Sequence, residues 1–250
     1  MTMTRFTRRT AIASLGFLAL VACGPAGGDG DNTPTTGGSG DSKAALEDNI
    51  RGDINAPITM IEYASWTCSH CLQFHRDVMP VIQSEYIDTG KVRFVFREFP
   101  TAPANISVAG FALARCAGPD KYYDVVDELF ERQSGILSMA RQGNQVRAAL
   151  MQVAENHGIS GEEAFDACLQ NGDIRRAIST SIARADSVGV DSTPTVLVNG
   201  VMLPGYDWRY PEGMRAVLDA ELAKVAPAAV EDEAPAEPAS DDTEEAPASE

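Results

Sequence analysis

The sequence predicts an α/β fold in which a block of helices separates two strand-containing parts. Three patterns support this prediction. An apolar, strand-like run precedes a Cys-x-x-Cys motif and a helical pattern, a long stretch without strand character follows, and two short apolar runs joined by Asn-Gly come near the end. Strands and helices that alternate in this way are typical of a sheet covered by helices.

The first strand is predicted at residues 58–66, directly before the motif Cys68-Ser69-His70-Cys71. The apolar positions after the motif recur at helical spacing: Leu72, Val78, Val81 and Ile82. Pro80 is expected to kink this helix because it cannot donate a backbone hydrogen bond. The motif therefore lies at a strand-turn-helix junction, with Cys68 at the helix N-terminus.

A second strand is predicted at residues 91–99, where apolar and polar residues alternate at the ends of the run. From about residue 104 to residue 188 amphipathic helical patterns replace strand character, with turn signals such as Gly118-Pro119 between them. These patterns cover residues 108–116, 122–132, 144–156, 162–170 and 174–187. We therefore expect a helical insertion here.

Strand character returns at residues 195–198 and again at residues 201–203, with Asn199-Gly200 between the two runs. Asn-Gly in this position predicts a hairpin because both residues accept positive φ. A last helix is predicted from Pro211 to about residue 225, with proline at its first position. Its inward-facing residues are expected to be Met214, Val217, Leu218 and Leu222.

The Cys-x-x-Cys motif points to redox chemistry. A thiolate at a helix N-terminus faces unpaired N–H groups and the positive end of the helix dipole, which lower the pKa of Cys68. The alternative is half of a zinc site. Only His70 and His75 lie nearby, however, and no second Cys-x-x-Cys motif completes a set of four ligands. We therefore expect redox-active thiols and no bound metal.

The N-terminus resembles a lipoprotein signal peptide. Three arginines precede an uncharged segment, residues 10–22, which is too short to span a bilayer. It ends in Leu20-Val21-Ala22-Cys23, which resembles the bacterial lipobox, so we expect residues 1–22 to be removed and Cys23 to carry the lipid. An ordinary secretory signal with an incidental cysteine is the alternative, and the arginines leave a twin-arginine export route open.

Composition separates both ends from the central domain. Residues 23–42 are rich in Gly, Ser, Thr, Pro and Asp, and residues 227–250 consist mainly of Ala, Pro, Glu and Asp. Neither segment can bury enough apolar surface to offset ordering, so we predict a flexible tether and a disordered acidic tail. Residues 43–226 remain as one domain that is long enough to bury a core.

The formal net charge is −16 at pH 7, and much of the negative charge lies in the predicted tail. This acidity argues against nucleic acid or an anionic membrane surface as the target. A lipid on Cys23 would anchor the protein in the bacterial cell envelope, facing the periplasm, where disulfides persist. The sequence does not decide which membrane holds the anchor.

The chain resembles the thioredoxin-fold thiol:disulfide oxidoreductases of the DsbA type over nearly all of residues 53–225. The resemblance rests on Glu62 six residues before Cys68, on the motif followed by Phe74-His75 and Pro80, on Ser192-Thr193-Pro194-Thr195 and on Val198-Asn199-Gly200. It implies a thioredoxin-like mixed sheet flanked by helices, with an inserted all-helical subdomain. Ser69 replaces the proline that DsbA enzymes usually carry, which leaves the redox potential open.

The resemblance also implies roles for the site residues. Cys68 would be the exposed sulfur that exchanges with clients, and Cys71 the deeper, resolving cysteine. His70 would donate a hydrogen bond or a positive charge to the Cys68 thiolate, and Glu62 would accept a proton from Cys71. The alternatives are a solvated turn histidine and a structural acid.

Pro194 would be held cis beside the motif, where Thr193 would offer its backbone to an extended client segment. The alternative is a strand-edge proline without function. Cys116 and Cys168, at the ends of predicted helices, are candidates for a structural disulfide of the kind that some related enzymes carry. Otherwise they are two buried thiols.

The function that the resemblance implies is a monomeric oxidase that needs no cofactor. Its clients would be unfolded or reduced envelope proteins with cysteines, and a quinone-linked membrane partner of the DsbB type would reoxidise it. A reductase or isomerase is the first alternative, although dimeric isomerases carry an N-terminal dimerisation domain and only the tether and a short lead-in precede the first strand here. A non-catalytic adaptor with the same fold is the second alternative.

Overall fold

The computed structural model of the protein describes residues 48–143 and 145–225 of the 250-residue chain. The predicted signal peptide, the lipid on Cys23, the tether and the acidic tail all fall outside these ranges and stay predictions. No helix within the ranges is both long and apolar enough to cross a membrane.

The described residues contain a five-stranded mixed sheet. Its strands are β1 (Ile50–Arg51), β2 (Ile58–Ala64), β3 (Val92–Glu98), β4 (Thr195–Val198) and β5 (Val201–Met202). Their order across the sheet is β1-β3-β2-β4-β5. Strands β2 and β3 are parallel, and the other neighbouring pairs are antiparallel. The parallel pair needs a crossover connection, which the helix after the Cys-x-x-Cys turn supplies.

The helices of the described chain are α1 (Ser69–Asp77), α2 (Met79–Ile82), α3 (Ala104–Cys116), α4 (Tyr122–Glu131), α5 (Gln133–Arg141), α6 (Val146–Asn156), α7 (Glu162–Gln170), α8 (Gly172–Ser187) and α9 (Pro211–Val225). A π-helical turn, Gln83–Ile87, continues α2, and a 3-10 turn, Asp207–Arg209, precedes α9. Helices α3 to α8 all lie between β3 and β4. The predicted fold class, a mixed sheet with a helical insertion, is thereby confirmed.

The positions of the main elements agree with the sequence patterns. The first helix breaks at Val78 and restarts as α2 with Pro80 in its first turn, as the proline predicts. The Asn-Gly turn between β4 and β5 has φ of 49° at Asn199 and 82° at Gly200. In α9, Met214 and Leu218 are fully buried. Strand β1 and helix α5 are the elements that the sequence patterns missed.

The insertion packs against the sheet around Trp66, which has no exposed surface. The indole N–H donates to the carbonyl oxygen of Ser107 in α3 at 2.9 Å. Glycine at position 110 is required for this approach, because a Cβ on Gly110 would overlap the indole ring. The insertion thus fixes the position of Trp66, which lies two residues before Cys68.

A disulfide joins Cys116, at the end of α3, to Cys168 in α7. The neighbouring Arg115 forms a bidentate ion pair with the buried carboxylate of Glu98, with N···O distances of 2.7 and 2.9 Å. The Tyr122 hydroxyl donates to the same carboxylate at 2.9 Å. These contacts connect the last residue of β3 to the two helices that follow it.

Candidate active site

The turn between β2 and α1 places both cysteines of the motif at the start of a helix. Cys68 is the N-cap residue of α1, with extended backbone angles, and its carbonyl oxygen accepts the Leu72 N–H at 3.1 Å. Cys71 lies in the first helical turn and has no exposed surface, whereas Cys68 is partly exposed. Both are free thiols in this structure.

The surroundings of Cys68 lower its pKa to about 5. The largest cause is a hydrogen bond from the thiol of Cys71, which stabilises the Cys68 thiolate. A hydrogen bond with the Thr193 side chain and the backbone N–H groups of Cys71 and His70 act in the same direction, against partial burial. Cys68 is therefore a thiolate at neutral pH and a good leaving group.

The pKa of Cys71 is shifted in the opposite direction to that of Cys68. Burial is the main reason that its pKa lies well above the ordinary value for a thiol, and its hydrogen bond to Cys68 and the charges of Glu62 and Cys68 add to the effect. At neutral pH the reduced pair therefore consists of an accessible thiolate and a buried thiol.

Glu62 is a buried carboxyl of β2 with 3% of its surface exposed. Burial, and then the charge of Cys68, raise its pKa to about 8. No other residue of the described chain forms a hydrogen bond with this carboxyl group. Because its pKa lies near neutrality and its charge interacts with Cys71, Glu62 can take or give a proton beneath the motif.

The fold brings Thr193 and Pro194 beside the motif from a position 125 residues later in the chain. The Cys68 Sγ lies 3.6 Å from the carbonyl oxygen of Thr193, and the Thr193–Pro194 peptide bond is cis. Strand β4 begins directly after this bond, where Thr195 pairs with Tyr63 of β2. The two motifs that the sequence singled out thus form one surface.

His70 is exposed, and its backbone N–H forms a hydrogen bond that helps to lower the pKa of Cys68. Among the described residues its imidazole has no hydrogen-bond partner. The donation from the ring to the thiolate therefore stays a prediction. His75, which follows the motif in the pattern of the resemblance, is a packing residue of α1 that stacks on Phe130 at a centroid distance of 4.5 Å.

Gln133 is a site residue that the sequence reasoning missed. It is the first residue of α5, is 4% exposed, and donates its side-chain amide to the carbonyl oxygens of Trp66 at 2.6 Å and Cys68 at 3.0 Å. Nothing in its local pattern indicates this role, because both partners lie more than sixty residues earlier. The helical insertion thereby contributes directly to the turn that carries Cys68.

A cluster of hydroxyl groups supports the same turn. The Oγ of Ser65 lies 2.9 Å from the hydroxyl oxygens of Thr67 and of Ser107 in α3. The Thr67 hydroxyl also lies 2.9 Å from that of Thr101. The cluster satisfies polar groups that the fold buries and ties residues 65–67 to the start of the insertion.

A cavity of about 450 Å³ opens beside the motif. It is lined by His70, Gln73, Phe74, Tyr206, Arg209 and Tyr210. The cavity thus lies between α1 and residues 206–210, and from that second side Arg209 donates from Nη2 to the carbonyl oxygen of Pro194 at 3.2 Å. In residues 48–143 and 145–225 no three His, Cys, Asp or Glu side chains are grouped so that they could hold a metal ion.

Comparison with known proteins gives consistent matches. A family model described as Thioredoxin matches residues 45–220. A Rickettsia conorii protein named as a protein-disulfide oxidoreductase is 30% identical over 163 residues, which cover 64% of this chain and 56% of that protein. The chain thus spans little more than half the length of this relative.

Two further matches cover more of the similar protein. A Bacillus cereus protein named as disulfide bond formation protein D is 28% identical over 177 residues, or 69% of this chain and 78% of that protein. The crystal structure of Wolbachia pipientis alpha-DsbA1 matches with a TM-score of 0.61 and 26% identity, and the match covers 74% of this chain and 96% of that chain.

Proposed function

The chain belongs to the thioredoxin family, and on this premise we propose that it is a DsbA-type thiol:disulfide oxidoreductase that oxidises the cysteines of client proteins. The observation that carries the proposal is the difference between the two cysteines of the motif. Cys68 is accessible and has a pKa lowered to about 5, whereas Cys71 is buried and has a raised pKa. The names of the similar proteins agree with this activity.

The reaction starts from the Cys68–Cys71 disulfide. A client thiolate attacks Sγ of Cys68, because Cys71 is buried; the Cys68–Cys71 bond breaks, and a client–Cys68 bond forms. Cys71 leaves with the electron pair of the broken bond. Its raised pKa draws a proton to it, and protonated Glu62, with a pKa of about 8, can supply this proton.

A second client thiolate then attacks the client sulfur of the mixed disulfide. This step forms the client disulfide and releases Cys68 as a thiolate, which its low pKa favours. The client loses two electrons and the dithiol pair gains them, without a cofactor. A quinone-linked membrane partner of the DsbB type would take these electrons and restore the disulfide.

The surface around Cys68 has groups for holding an extended client segment. Thr193 adjoins Cys68 and can pair its backbone with that segment as an added strand, a mode of binding that tolerates many side chains. The neighbouring cavity, which His70 and Phe74 line, can take a client side chain. His70, which is exposed beside Cys68 in the motif, would donate to the sulfur as the mixed disulfide forms.

The low pKa of Cys68 favours oxidation of clients over their reduction. It stabilises the reduced dithiol and so makes the disulfide more oxidising. We place the protein in the bacterial cell envelope as a monomer, held by a lipid on Cys23 and facing the periplasm. The lipobox-like pattern before Cys23 supports this placement.

The proposal is tested by mixing the oxidised protein, without added oxidant, with a reduced peptide that contains two cysteines. We expect one peptide disulfide for each protein molecule reduced. Cys68→Ser and Cys71→Ser should each abolish the transfer, because neither variant can form the Cys68–Cys71 disulfide. A control with both Cys116→Ser and Cys168→Ser should still oxidise the peptide.

Two outcomes would overturn the proposal. One is that the wild-type protein leaves the peptide reduced. The other is that Cys68→Ser oxidises the peptide as fast as the wild type, which is what another pair of cysteines would give.

A further inference from the structure

Arg209 is a partly buried arginine without a carboxylate partner in the part of the chain that the structure describes. Its Nη2 donates to the carbonyl oxygen of Pro194 at 3.2 Å, and its Nε is buried without a hydrogen bond. Six of the other seven partly buried arginines of the described chain are paired with acids instead: Arg51, Arg97, Arg115, Arg132, Arg184 and Arg215. Because removing a guanidinium from water is costly unless it is paired, an unpaired one favours an anionic ligand.

The guanidinium is held in place by two aromatic rings. Its Cζ lies 4.7 Å from the ring centroid of Tyr206 and 5.0 Å from that of Trp208. Trp208 is itself buried and donates its indole N–H to the Gly205 carbonyl oxygen at 3.0 Å. Contacts of this kind fix the plane of a guanidinium, so little conformational entropy is lost when a ligand binds.

The position of Arg209 relates it to the thiol chemistry. It lines the same cavity as His70, the third residue of the Cys-x-x-Cys motif, and it bonds the residue that follows Thr193. None of the residues that line this cavity is acidic, and Tyr206 and Tyr210 at its rim are 68% and 60% exposed. A client segment attached to Cys68 would therefore run past a cationic and aromatic pocket.

We propose that Arg209 is a specificity residue that binds an acidic side chain of the client, close in sequence to the reacting cysteine. This inference rests on the proposed function and names its preferred substrate class. A guanidinium has five N–H donors, of which Pro194 takes one, and its remaining Nη hydrogens can bind a carboxylate. The net charge of −16 repels acidic clients at long range, so the preference arises locally at Arg209.

The test compares reduced two-cysteine peptides that differ at one position. That position carries Glu, Gln or Lys and is scanned across the residues flanking the cysteine that reacts first. The measured quantity is the ratio of oxidation rate constants for the Glu and Gln peptides with the oxidised full chain. For at least one position we expect a ratio of about three to ten at low ionic strength, falling towards one as salt is added.

Variants separate specificity from a structural effect at Pro194. Arg209→Met should bring the ratio to about one, and Arg209→Glu should make the Lys peptide the fastest. A general loosening of the Pro194 segment slows all peptides alike and so cancels in the ratio. The matched control is Arg175→Met, which removes an exposed arginine of α8 that donates to the Leu169 carbonyl oxygen and should leave the ratio unchanged.

The outcomes also separate this inference from the proposed function. If the wild type oxidises the Gln peptide but the ratio is one at every position, or if Arg209→Met keeps the wild-type ratio, the inference is overturned and the function stands. If no peptide is oxidised, the function itself fails. A second arm uses a chain that ends at residue 226. We expect this shortened chain to show the same Glu-to-Gln ratio as the full chain. If the ratio exceeds one only in the shortened chain, Arg209 binds the acidic tail in the full chain, and the inference is overturned.

Discussion

The side-chain amide of Gln133 donates a hydrogen bond of 3.0 Å to the carbonyl oxygen of Cys68, across 65 residues of sequence. The same amide bonds the carbonyl oxygen of Trp66 at 2.6 Å. One buried side chain of the helical insertion therefore spans the turn that presents Cys68 to the N–H groups of α1. Those N–H groups are among the causes of the low pKa of Cys68.

We expect Gln133→Met to raise the pKa of Cys68, because the turn loses both amide hydrogen bonds while the volume of the side chain is nearly kept. It should also lower the free energy of unfolding by about 1 to 3 kcal/mol, since a buried carbonyl group is left without a donor. The pKa is measured from the ultraviolet absorbance of the thiolate during a pH titration of the reduced protein.

The matched control for this variant is Gln152→Met, which changes an exposed glutamine of α6 that bonds only Asn156. It should leave the thiolate titration where the wild type has it. An unchanged pKa in Gln133→Met would show that the turn holds Cys68 without the insertion.

The stability of the reduced protein is expected to rise with pH relative to that of the oxidised protein. The pKa of Cys68 is about 5 in the folded state against an ordinary value of 9.0, so between these values the unfolded chain binds more protons than the folded one. The contribution of the Cys68 thiolate to the stability of the reduced protein is therefore complete above pH 9.0 and is lost as the pH falls through about 5. The oxidised protein lacks this titration.

Urea unfolding of the reduced and oxidised forms at several pH values measures this difference. Cys68→Ser removes the thiolate and should abolish the pH dependence specific to the reduced form. A difference between reduced and oxidised wild type that does not change with pH would contradict the low pKa of Cys68.

Glu62→Gln is expected to stabilise the protein by an amount that grows with pH. Burial raises the pKa of Glu62 from 4.5 to about 8, so ionisation of this carboxyl opposes folding above 4.5. The favourable contribution of the protonated Glu62 to the free energy of unfolding is complete below pH 4.5 and is lost as the pH rises through about 8. The glutamine has no such loss.

The measurement is the difference in free energy of unfolding between variant and wild type, determined in both redox states because the charge of Cys68 contributes to the pKa of Glu62. Glu163→Gln, at an exposed position of α7, serves as the control and should show no such trend. A gap between Glu62→Gln and wild type that stays constant from pH 4.5 to about 8 would contradict the raised pKa.

The sequence predicted those parts of the fold whose signals are local. The apolar run before Cys68, the break at Pro80 and the Asn199-Gly200 turn each follow from the chemistry of neighbouring residues, and all three are present. Helix α5 was missed because its sequence, Gln-Ser-Gly-Ile-Leu-Ser-Met-Ala-Arg, contains Ser and Gly that weaken the helical pattern.

Only the site residues that belong to recognisable sequence motifs were predicted. The Cys-x-x-Cys pair and Thr193-Pro194 carry recognisable patterns, whereas the bonds of Gln133 to Cys68 and of Arg209 to Pro194 depend on how distant segments pack. Polar residues such as these look like ordinary surface positions in a sequence. Their burial, which gives them their significance, is decided by tertiary structure.

The combined variant Cys116→Ser with Cys168→Ser is expected to lose about 3 to 4 kcal/mol of stability, because the disulfide closes a long loop in the unfolded chain. The two cysteines are 52 residues apart, and closing a loop of that length costs the unfolded chain more conformational entropy than closing a short one. Unfolding of the oxidised variant and wild type in denaturant measures the loss. An equal midpoint for both proteins would show that the bond does not stabilise the domain.

The reduction potential of the Cys68–Cys71 pair tests the central claim most directly, and it is measured by equilibration with glutathione buffers while Cys116 and Cys168 are monitored separately. We expect a value well above the roughly −270 mV of thioredoxin and towards the roughly −120 mV of DsbA, because the low pKa of Cys68 stabilises the reduced dithiol. A potential at or below that of thioredoxin would contradict a donor of disulfides and indicate a reductase.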